Sequence, residues 1–327
     1  MEPIIIYNNQ NEVPVLLNEL QSSSNAFMQA NTMEVPLKEI ENNHIIPVFV
    51  KDNEPAISQV DFIETLCDTV KEVYQGEIIL NPNIRVSHPI KGRIPNARNK
   101  PANELQEWEK TLYYERMMFV VEIPSITETI DGNKISLTVG GVKAYNMDNL
   151  YNKKGPQEHF KFFVGFQNKV CTNLCVSSDG YVGDLKINSL HALKHAIRDG
   201  LYSYNPIEHV RSLDRLSQYQ LNEQQFANLL GRARMYNYLP QPEKEHIAPL
   251  LYGDQQLNVV CKDYYKDASF CKEDDGNINL WKVYNLFTGS NKSTYIDKFL
   301  DRSVNALDFA EHLRTTLDNG KPSWFLS

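Results

Sequence analysis

Several features that would assign a chain to a special class of protein are missing from this sequence. No apolar run approaches the roughly 18 residues that a membrane-spanning helix requires. The N-terminus has an acid at Glu2, no Lys or Arg, and only the short apolar run Ile4–Ile6, which is unlike a secretory signal. Five cysteines, an odd number without such a signal, indicate reduced thiols. We therefore predict a soluble, cytoplasmic protein with no membrane partner.

Motifs that announce catalysis are also missing. The sequence has no Gly-x-Ser-x-Gly, no His-Glu-x-x-His, and no Gly-x-Gly-x-x-Gly after a strand. Catalytic triads are defined by geometry, so the missing motifs do not exclude an enzyme. Enzymatic activity ranks third among our hypotheses. We predict no cofactor. A formal net charge of −8 argues against a broad electrostatic hold on nucleic acid or anionic lipid, although a local basic groove is compatible with it.

What is present is the composition of an ordinary globular protein. The chain has 327 residues, of which 42% are hydrophobic and 23% charged. A chain of this length buries roughly three quarters of its unfolded surface, so it needs no disulfide or metal to fold. We divide it into a polar, partly ordered N-terminal arm (1–42), a β-rich region (43–187) and a helical region (188–327). We expect the last two to share one core.

The middle of the chain has the pattern of antiparallel strands. Met117–Ile123 is nearly continuous in apolar residues, and Asp131-Gly132 then marks a hairpin turn, because glycine readily takes a positive φ. Further strands are predicted over Phe160–Phe166, over Lys169–Val176 after a tight turn at Gln167-Asn168, and over Tyr181–Ile187. Short turns between successive strands predict an antiparallel meander rather than a parallel βαβ sheet.

Helical periodicity dominates the C-terminal region. Predicted helices cover Ser189–Leu201, a segment opening at Asn205-Pro206, Leu221–Tyr236, Ile278–Phe287 with a stop at Gly289, and Ser303–Leu317 with a stop at Asn319-Gly320. An earlier helix spans Ser58–Tyr74, with Ser58 and Asp61 placed to cap its start. Strands first and helices later predict the α+β class, with the meander packed against a mainly helical C-terminal region.

Residues 81–101 change character. Four prolines there argue against a long helix or a central strand, so we predict a loop or an irregular extended connection. A helical stretch is predicted to follow at Glu104–Tyr114. A further strand is predicted before the first helix, at Ile45–Val50.

Three blocks of the sequence carry a resemblance to a known family: Arg85–Arg93, Gly165–Cys175 and Asn279–Gly289. Over nearly its whole length the chain resembles a Bacteroidetes family of conserved proteins of unknown function that are often carried on mobile elements. The last two blocks are more distantly similar to the wider group called phage/plasmid-like proteins. The resemblance implies a setting of horizontally mobile DNA in a bacterial cytoplasm, and it brings no catalytic residues with it.

The first block lies in a basic segment. Between Ile84 and Lys100 the sequence contains no Asp or Glu. Its candidate nucleic-acid-binding residues are Arg85, His88, Lys91, Arg93, Arg98 and Lys100. Clusters of Lys and Arg bind phosphates by releasing counterions, and the following Trp108, Tyr113 and Tyr114 could stack on unpaired bases. The alternative is that these cations pair with Glu104, Glu107 and Glu109 or remain solvated.

Two weaker candidates have ordinary structural explanations. Cys171 and Cys175 are four residues apart, as are His191 and His195, which is similar to a two-Cys, two-His zinc site. Buried apolar thiols and exposed histidines explain the same pattern, so we predict no metal site. The segment Thr288–Thr294 could hold an anion at a helix N-terminus, but a helix stop followed by a new helix cap is the favoured interpretation.

The leading hypothesis is therefore a non-enzymatic accessory protein of a mobile element that binds nucleic acid, single-stranded DNA being favoured. The alternative is a protein-interaction module that modulates a host factor. The polar N-terminal arm and the negative net charge favour this alternative.

Overall fold

The computed structural model describes residues 26–43, 57–97, 99–147, 157–320 and 322–327. The predicted strand at Ile45–Val50 and the predicted site residue Arg98 lie outside the described residues. The strands are β1 Met33–Glu34, β2 Asn83–Val86, β3 Pro89–Arg93, β4 Lys110–Tyr114, β5 Arg116–Ile130, β6 Asn133–Ala144, β7 Glu158–Asn168, β8 Leu174–Cys175, β9 Tyr181–Ile187, β10 Gln220–Leu221 and β11 Ile278–Asn279.

The helices follow a different distribution along the chain, with most of them after the sheet. They are α1 Leu37–Asn43, α2 Gln59–Val73, α3 Leu190–Ser203, α4 Pro206–Leu216, α5 Glu223–Tyr238, α6 Gln241–Lys244, α7 Asp254–Lys266, α8 Leu280–Asn291 and α9 Ile296–Asn319. The predicted α+β class is confirmed, with an antiparallel sheet in the middle of the chain and helices in the C-terminal region.

The main sheet has seven strands in the order β1-β2-β5-β6-β7-β8, and β9 pairs with β7 beside β8. All of these pairings are antiparallel. The hairpin predicted at Asp131-Gly132 is confirmed, since those two residues link β5 to β6 with φ values of 47° and 76°. Positive φ at both central positions is the geometry that suits the right-handed twist of the paired strands.

Both faces of this sheet are buried, which explains why its strands are nearly continuous in apolar residues. Phe119 and Val121 of β5 belong to a large core that includes α2 and the C-terminal helices. Met118 and Val120 of the same strand point the other way, because successive side chains alternate across a sheet. They join a second core with Phe27, Met28 and the first turns of α9.

Helix α2 lies directly against the sheet, and a glycine makes that approach possible. A Cβ atom on Gly141 would come within 2.4 Å of the ring of Phe62. The Phe62 ring instead sits edge-on to Phe119 and Phe160, with ring centroids 5.2 and 4.9 Å apart. The predicted cap of this helix is confirmed, because Ser58 and Asp61 exchange hydrogen bonds through side chain and backbone.

The prediction for residues 81–101 was partly wrong. Strand β2 pairs with both β1 and β5, so it is an interior strand of the sheet. Pro82 precedes this strand and Pro89 follows it, so the N–H groups between them remain available for pairing. The helix predicted at Glu104–Tyr114 was also wrong: single 3₁₀ turns are followed by β4, whose pairing with β3 outweighs local helical preference.

Three predicted boundaries moved. The turn expected at Gln167-Asn168 lies after Asn168, because Gln167 pairs with Leu174 and the chain reverses through Thr172 at a φ of 58°. Helix α8 continues past Gly289 to Asn291, and α9 begins well before Ser303, at Ile296. Buried packing of both helices extends them beyond what local stop signals allow.

One buried amide joins the turn after β7 to helix α8. The side-chain oxygen of Asn285 accepts hydrogen bonds from Asn168 and Asn173, each at 3.4 Å, and its backbone carbonyl accepts another from Asn173 at 3.0 Å. Its own amide nitrogen donates to the Trp281 carbonyl at 2.9 Å. Asn285 is 1% exposed. The second and third blocks of the family resemblance therefore meet in this contact.

We predict that Asn285→Ala lowers the free energy of unfolding by about 1 to 3 kcal/mol, because it leaves buried amide groups of the turn without partners. The matched control is Asn228→Ala on the exposed side of α5, which should change it by less than about 0.5 kcal/mol. Urea unfolding followed by circular dichroism measures both. Equal effects of the two variants would contradict the role given to Asn285.

A buried histidine makes the fold sensitive to acid. His209 of α4 is 3% exposed, and its Nδ1 lies 2.7 Å from the Tyr204 hydroxyl. Its ring also stands edge-on to Phe166, 5.7 Å away between centroids. Burial lowers the pKa of His209 from 6.5 to about 4. The unfolded chain therefore takes up this proton at a higher pH than the folded chain does.

The sign of this effect follows from linkage: stability is complete above pH 6.5 and is lost as the pH falls toward 4. We expect His209 to lower the free energy of unfolding by about 2 kcal/mol at pH 5 and about 3 kcal/mol at pH 4, relative to pH 8. In His209→Phe that part of the pH dependence should vanish, while the part due to carboxylates persists in both proteins. The measurement is the free energy of unfolding of the two proteins at several pH values. A constant difference between them from pH 8 to pH 4 would refute the assignment.

Candidate nucleic-acid interface

Strands β3 and β4 form a two-stranded ribbon that is separate from the main sheet. In its register Lys91 lies opposite Leu112, and Arg93 lies opposite Lys110. Residues directly opposite each other in an antiparallel pair share a face, and neighbours along each strand alternate between faces. These four residues therefore share one face, which we call the cationic ribbon face.

The other face of the ribbon packs against the protein. Thr111 and Tyr113 are 5% and 8% exposed, and the Tyr113 ring meets Tyr145 edge-on with centroids 6.0 Å apart. A Cβ atom on Gly92 would come within 2.6 Å of the Thr111 hydroxyl oxygen, so this position accepts only glycine without rearrangement. Close packing on this face holds the cationic ribbon face outward.

The cationic ribbon face is accessible and carries few acids. Lys91 and Lys110 are exposed, Arg93 is half-buried and Leu112 is 37% exposed. Trp108 lies in the connection between β3 and β4, two residues before β4, and is 71% exposed. Glu107 accepts a hydrogen bond from Lys110 at 2.5 Å; this bond and the Lys110 charge lower the pKa of Glu107, and the charge of Lys91 acts in the same direction.

Arg85 is placed elsewhere. It lies in β2 rather than on the ribbon, and its guanidinium donates to the Thr32 hydroxyl and carbonyl at 3.1 to 3.2 Å. Glu34 stands 3.8 Å from the same group. Burial lowers the pKa of Arg85, and the nearby Glu34 opposes that shift. These contacts fasten β1 to β2, so Arg85 serves the sheet.

Lys100 and Arg93 hold the connection between β3 and β4 together. The Lys100 ammonium lies 2.8 and 2.9 Å from the two carboxylate oxygens of Glu109, whose side chain is 8% exposed. Glu109 also accepts the backbone N–H of Gln106. Arg93 donates through one guanidinium nitrogen to the Lys100 carbonyl. The Lys100 charge is therefore neutralised by a carboxylate, whereas Arg93 forms no ion pair with any residue that the structure describes.

His88 is the remaining candidate in the basic segment. It is exposed and precedes β3 by one residue. The hydroxyl of Ser87 donates to its backbone carbonyl at 3.3 Å. Of the six predicted residues, the structure thus places Lys91 and Arg93 on one face with His88 near its start. Arg85 and Lys100 are engaged elsewhere, and Arg98 is outside the described residues.

Two residues of the cationic ribbon face were missed from the sequence. Lys110 and Leu112 come into register with Arg93 and Lys91 only because β4 is a strand, whereas a helix was predicted there. The β-branched and aromatic residues Thr111, Tyr113 and Tyr114 were the signal in the sequence that could have revealed the strand.

The residues of the possible zinc site do not converge. Cys175 is buried in the large core and Cys171 contacts Asn285 of α8, whereas His191 and His195 are exposed on α3. Desolvation raises the pKa of Cys171 to about 11 and that of Cys175 to about 12, so both thiols are protonated at neutral pH. Among the residues that the structure describes, no three His, Cys, Asp or Glu side chains form a metal-binding group.

The segment Thr288–Thr294 lies at the C-terminal end of α8, not at a helix N-terminus. That end of a helix carries partial negative charge and favours a cation. Lys292, which is 6% exposed, follows the last residue of α8 and donates to the Cys171 carbonyl and, at 3.1 Å, to the Thr172 hydroxyl. The segment thus contains the end of α8 and the turn that leads to α9, and Lys292 fastens the turn after β7.

The fold and this surface define an α+β protein whose central antiparallel sheet is covered on both faces and which presents a separate cationic β-ribbon. Residues 10–326 match the family described as "Domain of unknown function, B. Theta Gene description (DUF3871)", and the chain belongs to that family. The comparisons with curated proteins and with solved structures found no significant match. None of the described helices has the length and apolar character that crossing a membrane demands.

We predict that the two ion pairs of the ribbon differ in their contribution to stability. Lys100→Met should lower the melting temperature and speed proteolysis of the connection between β3 and β4, because it strips a partner from the buried Glu109 carboxylate. Lys110→Met should change neither, since its partner Glu107 is 90% exposed and surface pairs contribute little. Thermal melts and limited digestion with subtilisin, whose cleavage does not depend on Lys or Arg, distinguish them. Indistinguishable variants would contradict the structural role of Lys100.

Proposed function

We propose that this chain is a non-enzymatic accessory protein of a mobile element that binds single-stranded nucleic acid through the cationic ribbon face. The observation that carries the proposal is the register that sets Lys91, Arg93 and Lys110 on one outward face of a chain whose net charge is −8. The mobile-element setting rests on the sequence resemblance. Membership of the family leaves the activity open.

The chemistry of the face suits an unpaired strand. Cations that are spaced along a ribbon can follow successive phosphates, and phosphate contacts provide affinity without sequence preference. Trp108 offers an exposed aromatic face, on which a splayed base gains about 1 to 3 kcal/mol by stacking. Paired bases of a duplex are already stacked on each other, so the tryptophan favours single strands.

The test is fluorescence anisotropy of a labelled oligothymidine titrated with the full chain at several salt concentrations. Three phosphate contacts predict a slope of about −2 in a plot of log affinity against log salt. Lys91→Glu with Lys110→Glu should abolish most of the binding and bring that slope close to −1. Trp108→Ala should weaken binding about 5- to 150-fold while leaving the slope unchanged, because stacking releases no counterions.

The matched control reverses two exposed lysines outside the ribbon, Lys134→Glu with Lys266→Glu, which changes the net charge by the same amount. It should bind as the parent chain does. If the control and the ribbon variant lose affinity equally, the attraction is that of the whole molecule and not of this face. Absence of salt-sensitive binding near about 50 mM salt would overturn the proposal.

A second candidate function is a protein-interaction module that modulates a host factor. It is favoured by the exposure of Trp108 and Leu112 beside Arg93, because tryptophan and arginine are enriched at the centres of protein interfaces. This function predicts a stoichiometric host partner that is retained by the parent chain and lost by Trp108→Ala, together with no oligonucleotide binding. Binding of oligothymidine with the expected salt slope would exclude it as the role of this face.

A further inference from the structure

A second surface, formed by the exposed sides of α2 and α3, carries metal-ligating groups. His191 and His195 are one helical turn apart on α3, and their Nε2 atoms lie 3.1 Å from each other. Both side chains are exposed. Residues at i and i+4 of a helix lie on the same face, so the two imidazoles can reach one point in solvent.

The histidines stand beside an open cleft between α2 and α3 with a volume of about 310 Å³. It is lined by Asp61, Glu64, Thr65, Asp68, Leu190, His191 and Lys194. Three of these residues are carboxylates from one side of α2. The α2 side of the cleft therefore presents carboxylates, and the α3 side presents the imidazole of His191.

The three carboxylates of the cleft differ in the hydrogen bonds and ion pairs that they already form. Asp61 is held by the cap of α2, where it accepts from the Ser58 hydroxyl and backbone, and Asp68 pairs with Lys71 at 3.4 Å. Glu64 is exposed and has no hydrogen bond or ion pair with any residue that the structure describes. The cation of the cleft, Lys194, is drawn away by Glu72, which it shares with Arg198.

We infer that His191 and His195 form a binding site for a divalent transition-metal ion, with a carboxylate of α2 (Glu64 or Asp68) and water as the other ligands. Two nitrogens about 2.1 Å from one ion lie about 3.0 Å apart at a right angle and about 3.4 Å apart at the tetrahedral angle. The observed 3.1 Å falls within this range. Imidazole with carboxylate suits zinc, nickel or copper better than magnesium or calcium.

The carboxylates do not touch the imidazoles in this structure, so the site closes by rotation of a Glu64 or Asp68 side chain when the ion arrives. Both are exposed and can turn without disturbing the core. Such closure ties α2 to α3 beside the link that Glu72 already makes with Lys194 and Arg198. The site is independent of the ribbon and of nucleic-acid binding.

The experiment is isothermal titration of the reduced full chain with Ni²⁺ alone, with Co²⁺ absorption to report the ligand type. We expect one ion per chain and a Co²⁺ spectrum without thiolate charge transfer. His191→Ala and His195→Ala should each weaken binding by about tenfold or more, since even partners outside the ligand shell contribute about 10- to 100-fold. The exposed His246→Ala is the matched control and should bind normally.

Glu64→Gln combined with Asp68→Asn should weaken the binding as well, and it should remove the rise in melting temperature that Ni²⁺ gives the parent chain. Full affinity in the His191→Ala, His195→Ala double variant would overturn the site. So would absence of binding by the parent chain, which would leave a hydrogen bond between two neutral imidazoles as the only meaning of the short distance.

Discussion

Burial of the central sheet on both faces is the constraint from which the rest of the structure follows. Strands β5, β6 and β7 have α2 and the C-terminal helices on one side, and α9 with Phe27 and Met28 on the other. A polar group between these layers is stabilised by a partner inside the protein, because water is excluded there. The turn after β7 finds such a partner in Asn285, and the turn between α8 and α9 does so through Lys292.

The same constraint explains why the chemistry of this protein is found at its margins. Inside the layers a charge is held by close partners, for example Lys143 by Glu158 at 2.6 Å. The ribbon of β3 and β4 lies outside the main sheet, and one of its faces is buried through Thr111 and Tyr113. Its other face can keep lysines and an exposed tryptophan in contact with solvent. Histidines on α3 have the same freedom, since they project beyond the helix face that packs into the core.

The cations of the basic segment differ in whether they stabilise the fold through an acidic partner or lie exposed on the cationic ribbon face. Arg85 and Lys100 lie in the same basic run as Lys91, yet Arg85 is engaged by Glu34 and Thr32, and Lys100 by Glu109. Removing Lys100 leaves the buried Glu109 carboxylate without its cation, and removing Arg85 takes away contacts that fasten β1 to β2, so both changes act on stability. Lys91 and Lys110 are exposed, and so is Glu107, the partner of Lys110; we therefore expect their substitution to leave the fold intact and to change the electrostatic potential outside it.

The sequence by itself determined the class of fold, the hairpin at Asp131-Gly132, the cap of α2 and most helices of the C-terminal region, because these depend on local periodicity and turn chemistry. It also located the basic segment. Only the tertiary structure decided that β4 is a strand and that β2 lies inside the sheet, since pairing with distant residues outweighs local propensity. It likewise decided which cations are paired, because Glu34 and Arg85 are distant in sequence and adjacent only after folding.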